Sequence, residues 1–259
     1  MNISDLMIEA VDMNSKGIVS DVIKKRNMTI THVEVSDVNI AEMGKYITIE
    51  FNDIMNKNLR KIVIEELCNL LDSNGLEPGS SILVVGLGNE RSTPDSLGPL
   101  VIENIIVTRH LEMLGLNSKR VVSAIKPGVT GETGIETKDI IKGVIEKIKP
   151  DFLIVIDALK SGSIKRLNKA IQLTDTGIHP GSGIQNKREK LDKNSLGIPV
   201  IAIGVPTVCD IRTIINESVN FEIENVPEMI ITPKEIDFVI DKMSDLISIC
   251  INKALYDFE

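Results

Sequence analysis

The chain has no tryptophan, and aromatic residues make up only 3% of its 259 residues. Proteins that bind single-stranded nucleic acid usually stack bases on aromatic side chains, so this composition argues against such a role. The formal net charge of −8 argues equally against general binding to a phosphate backbone, which requires clustered lysine and arginine. We therefore expect no nucleic-acid partner.

Cysteine is also scarce, and its three positions, Cys68, Cys209 and Cys250, lie far apart without a CxxC motif. An odd, widely spaced set favours reduced thiols in a cytosol-like compartment over a disulfide framework. The opening stretch MNISDLMIEAVDM lacks the basic and apolar regions of a signal peptide. No apolar run approaches the roughly 18 residues of a membrane span. These features predict a cytoplasmic protein with no membrane partner.

The apolar runs that are present predict an α/β fold. From residue 81 onward, short and nearly continuous apolar runs alternate with segments of helical period, as in a mostly parallel sheet covered on both faces. We predict one three-layer αβα domain over residues 1–259, with a β-rich amino-terminal subdomain at 1–53 and an α/β core at 54–259. The predicted strands are 32–38, 46–51, 82–85, 121–125, 152–156, 169–175 and 198–207, and the predicted helices are 58–74, 97–114, 137–149 and a last one that opens with a capping box at 232–235.

The rest of the chain is organised around residues 81–98, SILVVGLGNERSTPDSLG. A predicted strand breaks at Gly86, and a glycine-rich loop then carries Asp95 toward a helix. Ligands of open α/β sheets bind outside the carboxyl ends of the strands, which is where this loop should lie. The GxG at 86–88 begins like a dinucleotide fingerprint, but Arg91 stands where the third glycine belongs. Nucleotide binding is therefore not our first interpretation.

A second carboxylate, Asp157, follows the buried run at 152–156. Because Asp95 and Asp157 each follow a buried strand, both should lie at the same edge of the sheet. Two neighbouring carboxylates cannot both ionise easily, so one can act as a general base toward water while the other acts as an acid. A structural interpretation stays open for both, since aspartate commonly caps a helix or a turn.

A third glycine-rich loop, at 176–183, holds His179 at the same predicted edge. His179 would complete an Asp/Asp/His metal set with the two aspartates, or it would simply bond to the backbone. His32 and His110 have no metal-like neighbours in the sequence. Cys209 follows a strand, but buried cysteine is usually inert packing.

Several segments together resemble the germination protease, or spore protease, family of endospore-forming bacteria. The similarity covers most of the chain and is most specific around Asp95 and Asp157. The central segments are VVGLGNERSTPDSLGP (84–99), ENIIVTRHL (103–111), SAIKPGVTGETGIETKDII (123–141), IEKIKPDFLIVIDAL (145–159), QLTDTGIHPGSGIQNKR (172–188) and LGIPVIAIGVPTVCD (196–210). The flanking segments are DLMIEAVDM (5–13), KYITIEF (45–51) and ITPKEID (231–237).

The resemblance implies an atypical aspartic endopeptidase that degrades small acid-soluble spore proteins at germination, with Asp95 and Asp157 as its catalytic pair. We add Asn89 and His179 as supporting residues, and we expect backbone amides of the glycine loops to stabilise the developing oxyanion. The resemblance further implies a homotetramer of the forespore or spore core, made as a zymogen that cleaves itself near Asp5 and Leu6. The fold should be similar to hydrogenase-maturation endopeptidases, within a phosphorylase-like class.

Two alternatives to this cofactor-free peptidase stay open. One is a metal-dependent endopeptidase of the nickel or zinc type that uses Asp95, Asp157 and His179. The other is a non-catalytic α/β module whose glycine loops hold an anion or a nucleotide. The chain also departs from the family pattern, because little precedes DLMIEA and the stretch 211–228 is compressed. The short leading segment bears on zymogen control more than on catalysis.

Overall fold

The computed structural model describes residues 4–13, 15–25, 27–116, 120–180, 189–218 and 226–256. Within these ranges the strands are β1 Ile18–Lys25, β2 Met28–Val35, β3 Gly44–Phe51, β4 Ser81–Gly86, β5 Val121–Ile125, β6 Phe152–Ser161, β7 Ala170–Thr174, β8 Val200–Asp210 and β9 Ile230–Ile231. The helices are α1 Met7–Ala10, α2 Lys57–Ser73, α3 Leu97–Glu103, α4 Arg109–Met113, α5 Thr130–Thr133, α6 Thr137–Ile148, α7 Lys193–Leu196, α8 Ile211–Ser218 and α9 Ile236–Tyr256. Part of the predicted loop at 176–183 lies outside the described residues.

All of these strands belong to one sheet, in the order β1-β2-β3-β7-β8-β6-β4-β5, with β9 beside β8. β5, β4, β6 and β8 run parallel to one another. β1, β2, β3 and β7 pair antiparallel, and β7 also meets β8 antiparallel. The predicted α/β class is confirmed, but the sheet is mixed and not mostly parallel.

The amino-terminal strands are continuous with this sheet. β3 pairs with β7 from Tyr46 opposite Thr174 to Glu50 opposite Ala170. The sequence prediction placed strands of residues 1–53 in an attached subdomain, whereas hydrogen bonds join them directly to the rest of the sheet. The single domain over 1–259, with a subdomain at 1–53 and a core at 54–259, stays a prediction.

Both faces of the central strands are buried. Ile154 and Ile156 of β6 pack into the large core that α2, α3 and α9 cover, whereas Leu153 and Val155 pack on the opposite face with Ile141 of α6. Successive side chains of a strand point to opposite faces, so an unbroken apolar run is required where helices cover both. The prediction that 152–156 is buried on both faces is confirmed.

The helix predicted over 97–114 is wrong, because it is broken into α3 and α4. Thr108 lies between them, and both its N–H and its hydroxyl bond to the segment at β5. Its N–H donates to the Val122 carbonyl at 2.9 Å, and its hydroxyl donates to the Arg120 carbonyl at 2.7 Å. The apolar period continues across this break, so periodicity alone could not reveal it.

The capping box predicted at 232–235 does not form. α9 begins at Ile236, and the Thr232 hydroxyl donates 2.8 Å to the carbonyl of Thr207 on β8. Thr232 thus bonds to a strand distant in sequence, and the helix starts four residues later. The apolar stripe of this helix is buried as predicted, with Ile240 and Ile247 each 1% exposed.

Candidate active site

A cavity of about 280 Å³ lies where β4 ends, and Asp95 and Asp157 both border it. His179 and Asp5 border the same cavity. The folding of two separate crossovers thus brings both aspartates to one site, at the sheet edge expected from the sequence. Their catalytic role stays a prediction.

The loop after β4 fixes the position of Asp95. The backbone N–H of Asn89 donates to Asp95 Oδ2 at 2.9 Å and to the Asp95 carbonyl at 3.1 Å. Asn89 therefore supports the site through its backbone, and its side chain caps the N–H of Arg91 at 2.8 Å. Gly88 adopts φ +113°, and a Cβ there would lie 1.9 Å from the Asp95 carbonyl oxygen. Only glycine permits this approach of the two backbones.

Asp157 does not end its strand, as the sequence suggested, because β6 continues to Ser161. It is instead the first residue of β6 beyond the end of β4, whose last residue, Gly86, pairs with Ile156. On its other side Asp157 still pairs with Gly204 of β8. The end of one neighbouring strand opens space beside a side chain that is only 5% exposed. A buried carboxyl group in a cavity is the kind of group whose charge state an enzyme can use.

His179 is engaged by a carboxylate outside the aspartate pair. Its Nε2 lies 3.0 Å from Glu42 Oε1, and Glu42 also forms an ion pair with Lys190. Burial raises the pKa of Glu42, but the hydrogen bonds from His179 and Lys190 outweigh it and hold that pKa below its ordinary value. In the part of the chain that the structure describes, no group of three His, Cys, Asp or Glu side chains could hold a metal ion. A metal set of Asp95, Asp157 and His179 stays a prediction.

Backbone groups of the glycine-rich loop are used within the loop itself. The N–H of Ser92 donates to the Asn89 carbonyl at 3.1 Å, and that of Asp95 donates to the Ser92 carbonyl at 2.8 Å. The N–H of Leu87, at the start of the loop, donates to the carbonyl of Ile156 on β6 at 2.8 Å. Phosphate-binding loops instead point such groups at the ligand. This arrangement does not favour the anion- or nucleotide-binding module.

The amino-terminal segment lies along β6 beside the cavity. The N–H of Asp5 donates to the Lys160 carbonyl at 3.0 Å, and Asp5 Oδ2 accepts from the N–H of Lys160 at 2.8 Å. Leu6 is fully buried. Further along, Glu9 accepts the N–H of Gly162 at 2.6 Å and pairs with Arg166 at 3.2 Å. The segment predicted for self-cleavage is thus held against the strand that carries Asp157.

The sequence prediction missed two residues of the cavity wall, Lys160 and Thr207. In the pairing of β6 with β8, Leu159 lies opposite Pro206, whereas Lys160 lies opposite Val208. Thr207 is therefore the extra residue of a β-bulge, a feature that recurs beside active sites. The only feature of the sequence that could have indicated Lys160 as a site residue is its position soon after an apolar run. Nothing in the sequence marks the register shift.

Comparison with known protein families gives a match. Residues 4–227 match the family of germination proteases. The chain belongs to the germination protease family. Germination proteases of Bacillus mycoides strain KBAB4 and Bacillus cereus strain AH187 are each 47% identical to it over 241 residues. That of Bacillus anthracis strain CDC 684 is 46% identical over 242 residues. The resemblance drawn from the sequence motifs is confirmed.

These alignments cover 84% of this chain but only 66% of each relative. The chain thus spans slightly less than two thirds of the length of these germination proteases. The matched range contains both aspartates and the segment that holds Asp5, whereas α9 lies beyond it. None of the helices in the described ranges is long and apolar enough to cross a membrane.

A second cavity, of about 320 Å³, adjoins the first in this family member. The two share Asp5, Leu159 and His179 in their walls. The second one is bordered by Met7, Tyr46 and Ile178 among others. Cys209, the remaining nucleophile candidate, is fully buried, and burial raises the pKa of its thiol. It therefore lacks the thiolate character of a catalytic cysteine.

Proposed function

We propose that this chain is an endopeptidase in which Asp95 and Asp157 together activate water for attack on a peptide carbonyl. The observation that carries the proposal is that two carboxylates from separate crossovers border one cavity in a member of the germination protease family. Asp157 is buried and Asp95 is half-buried, so their environments differ. Two carboxyl groups in different environments can divide the acid and base roles between them.

In the proposed reaction the ionised aspartate accepts a proton as the water oxygen bonds to the carbonyl carbon. The protonated aspartate then donates its proton to the leaving nitrogen as the C–N bond breaks. The products are one new carboxyl group and one new amine, and the pair is left with a single proton again. No metal or cofactor takes part in this scheme.

We propose small acid-soluble spore proteins as the substrates and the spore core as the site of action. The family name supports this role, and the two adjoining cavities offer length for an extended peptide. A homotetramer and a fold similar to hydrogenase-maturation endopeptidases belong to the same proposal. Light scattering on the purified chain tests the subunit number, and a monomer would contradict the proposed homotetramer.

The test of the mechanism compares Asp95→Asn and Asp157→Asn with the wild type on a purified spore acid-soluble protein. We expect each variant to lose about 10³-fold or more in kcat/KM, the size of effect typical of a general acid or base. Asp139→Asn on the exposed surface of α6 serves as the matched control and should keep full activity. Thermal unfolding of all variants shows whether each one is folded. Wild-type rates in both cavity variants would overturn the proposal.

A chelator arm of the same assay addresses metal dependence. We expect protein treated with EDTA to keep its turnover rate, because the proposed scheme activates water with the two aspartates alone. Turnover that is lost on chelation and restored by nickel or zinc would instead support the metal-dependent alternative.

We also propose self-cleavage near Asp5 and Leu6. Asp5 borders the cavity that holds the aspartate pair, which supports an intramolecular cut. Because Leu6 is fully buried, the segment must leave β6 before its peptide bond can reach the aspartates. Intact-mass measurement during incubation at mildly acidic pH should therefore show slow loss of the first residues. The Asp157→Asn variant should stay intact, and a wild-type chain that also stays intact would contradict this step.

A further inference from the structure

The β-bulge at Thr207 places an unsatisfied hydroxyl at the edge of the aspartate cavity. Thr207 is 0% exposed, and among the described residues its Oγ1 has no hydrogen-bond partner. A buried hydroxyl without a partner destabilises a fold, so such a group calls for an explanation. Because a bulge re-aims the side chain that it carries, the location beside a cavity points to a ligand as the missing partner.

Lys160, next to the bulge on β6, is also incompletely satisfied. It is 7% exposed, and its Nζ lies 3.5 Å from Asp210 Oδ2. That separation exceeds the roughly 2.7–2.9 Å of a good ammonium–carboxylate hydrogen bond. Within the described ranges, Lys160 is the only lysine or arginine that borders the cavity. A buried ammonium with donors to spare can bind an oxygen that enters the cavity.

Hydrolysis of a peptide requires such donors, because negative charge develops on the carbonyl oxygen as water adds. From the sequence we expected backbone amides of the glycine loops to stabilise this charge. The N–H groups of Leu87, Asn89 and Ser92 are instead bonded within the protein. Two other donor groups border the same cavity as the aspartates, namely the Lys160 ammonium and the Thr207 hydroxyl at the bulge.

We propose that Thr207 and Lys160 form the electrophilic side of the site and bind the carbonyl oxygen of the substrate peptide. This inference rests on the proposed peptidase function. The Thr207 hydroxyl reaches the cavity by rotation about χ1 between staggered positions as the substrate enters. Both groups then donate hydrogen bonds that strengthen as the oxygen gains charge. Neither group gives up its proton, so the proton balance between the aspartates is unchanged.

The decisive variant is Thr207→Val, which keeps the shape of the side chain and removes the hydroxyl. We expect kcat to fall about tenfold with KM unchanged, since the lost interaction is made mainly in the transition state. The melting temperature should stay the same or rise, because the hydroxyl has no partner to lose in the free protein. A hydroxyl with a structural role would instead lower it. Thr207→Ser keeps the donor and should retain most of the activity.

The matched control is Thr48→Val on β3. The Thr48 hydroxyl is equally buried and equally without a partner in the described structure, but Thr48 does not border the aspartate cavity. This variant should keep wild-type kinetics. Lys160→Met should lower kcat by more than Thr207→Val does, because a charged donor is lost, and Lys160→Arg should restore part of it.

Undiminished kcat in Thr207→Val, or a change confined to KM, would overturn the proposal. It would fall equally if Thr48→Val lost as much activity as Thr207→Val. An active wild type whose Asp95→Asn and Asp157→Asn variants are inactive would leave the peptidase function standing in either case. A wild-type chain that cleaves no peptide would overturn both proposals together.

Discussion

At the scale of single residues, the two aspartates could be predicted and their surroundings could not. Asp95 and Asp157 each follow an apolar run, so strand order alone indicates the edge where they meet. The partner of His179 is different, because Glu42 lies 137 positions away along the chain. Such a contact depends on how β3 and β7 are paired, which no local pattern encodes. The same holds for Thr207, whose role follows from a register shift.

The Glu42 cluster gives a prediction about pH. His179 and Lys190 hold the pKa of Glu42 below its ordinary value of 4.5, so the stabilisation is present above that value and is lost as the pH falls through the depressed one. We expect Glu42→Gln to lower the free energy of unfolding near neutral pH by less than about 1 kcal/mol, because the pair is partly exposed. The difference should shrink below about pH 4.

Urea unfolding at both pH values measures this difference. Glu146→Gln, on the exposed surface of α6, is the control and should show no change at either pH. A Glu42→Gln effect that grows on acidification would contradict the assignment.

At the scale of elements, the turn from β4 into α3 depends on close backbone contact. A Cβ at Gly86 would lie 2.2 Å from the Gly98 carbonyl oxygen, and one at Gly98 would lie 2.3 Å from the Leu87 carbonyl oxygen. The GxG of the sequence resembles a phosphate loop, but here the glycines let the strand end and the helix start touch. The motif correctly predicted a tight turn. It could not show whether the glycines make room for a phosphate or for the neighbouring backbone.

We therefore expect Gly88→Ala to lower the free energy of unfolding by about 2–4 kcal/mol, since it adds strain at positive φ and a clash with the Asp95 backbone. Activity should fall further than the loss of folded protein explains, because Asp95 moves. Gly143→Ala, within α6, meets no atom within 4 Å and should gain about 0.5–1 kcal/mol. Denaturant unfolding and kcat/KM on the same samples measure both effects. Normal activity in folded Gly88→Ala would show that Asp95 does not need this geometry.

At the scale of the whole molecule, the amino-terminal strands complete the sheet and the core. Ile30 of β2 and Ile49 of β3 are fully buried in the same cluster as α2 and α9. β3 also covers the edge of β7 over five residue pairs. An uncovered edge and an exposed apolar face are both destabilising and prone to aggregation.

This arrangement predicts that a chain beginning at residue 54 does not fold by itself. Calorimetry or circular dichroism should show no cooperative unfolding transition for the shortened chain, whereas the full chain should show one. A cooperative transition in the shortened chain would instead show that residues 54–259 fold without the amino-terminal strands.

The sequence by itself determined the α/β class, the family and the two aspartates, because these depend on local patterns: apolar runs, turn residues and motifs of a few positions. Only the tertiary structure decided the mixed sheet, the break at Thr108, the bond from Thr232 to Thr207 and the bulge beside Lys160. Each of these is a choice between hydrogen-bond partners distant in sequence. The choice is made by the total free energy of packing, which no single segment contains.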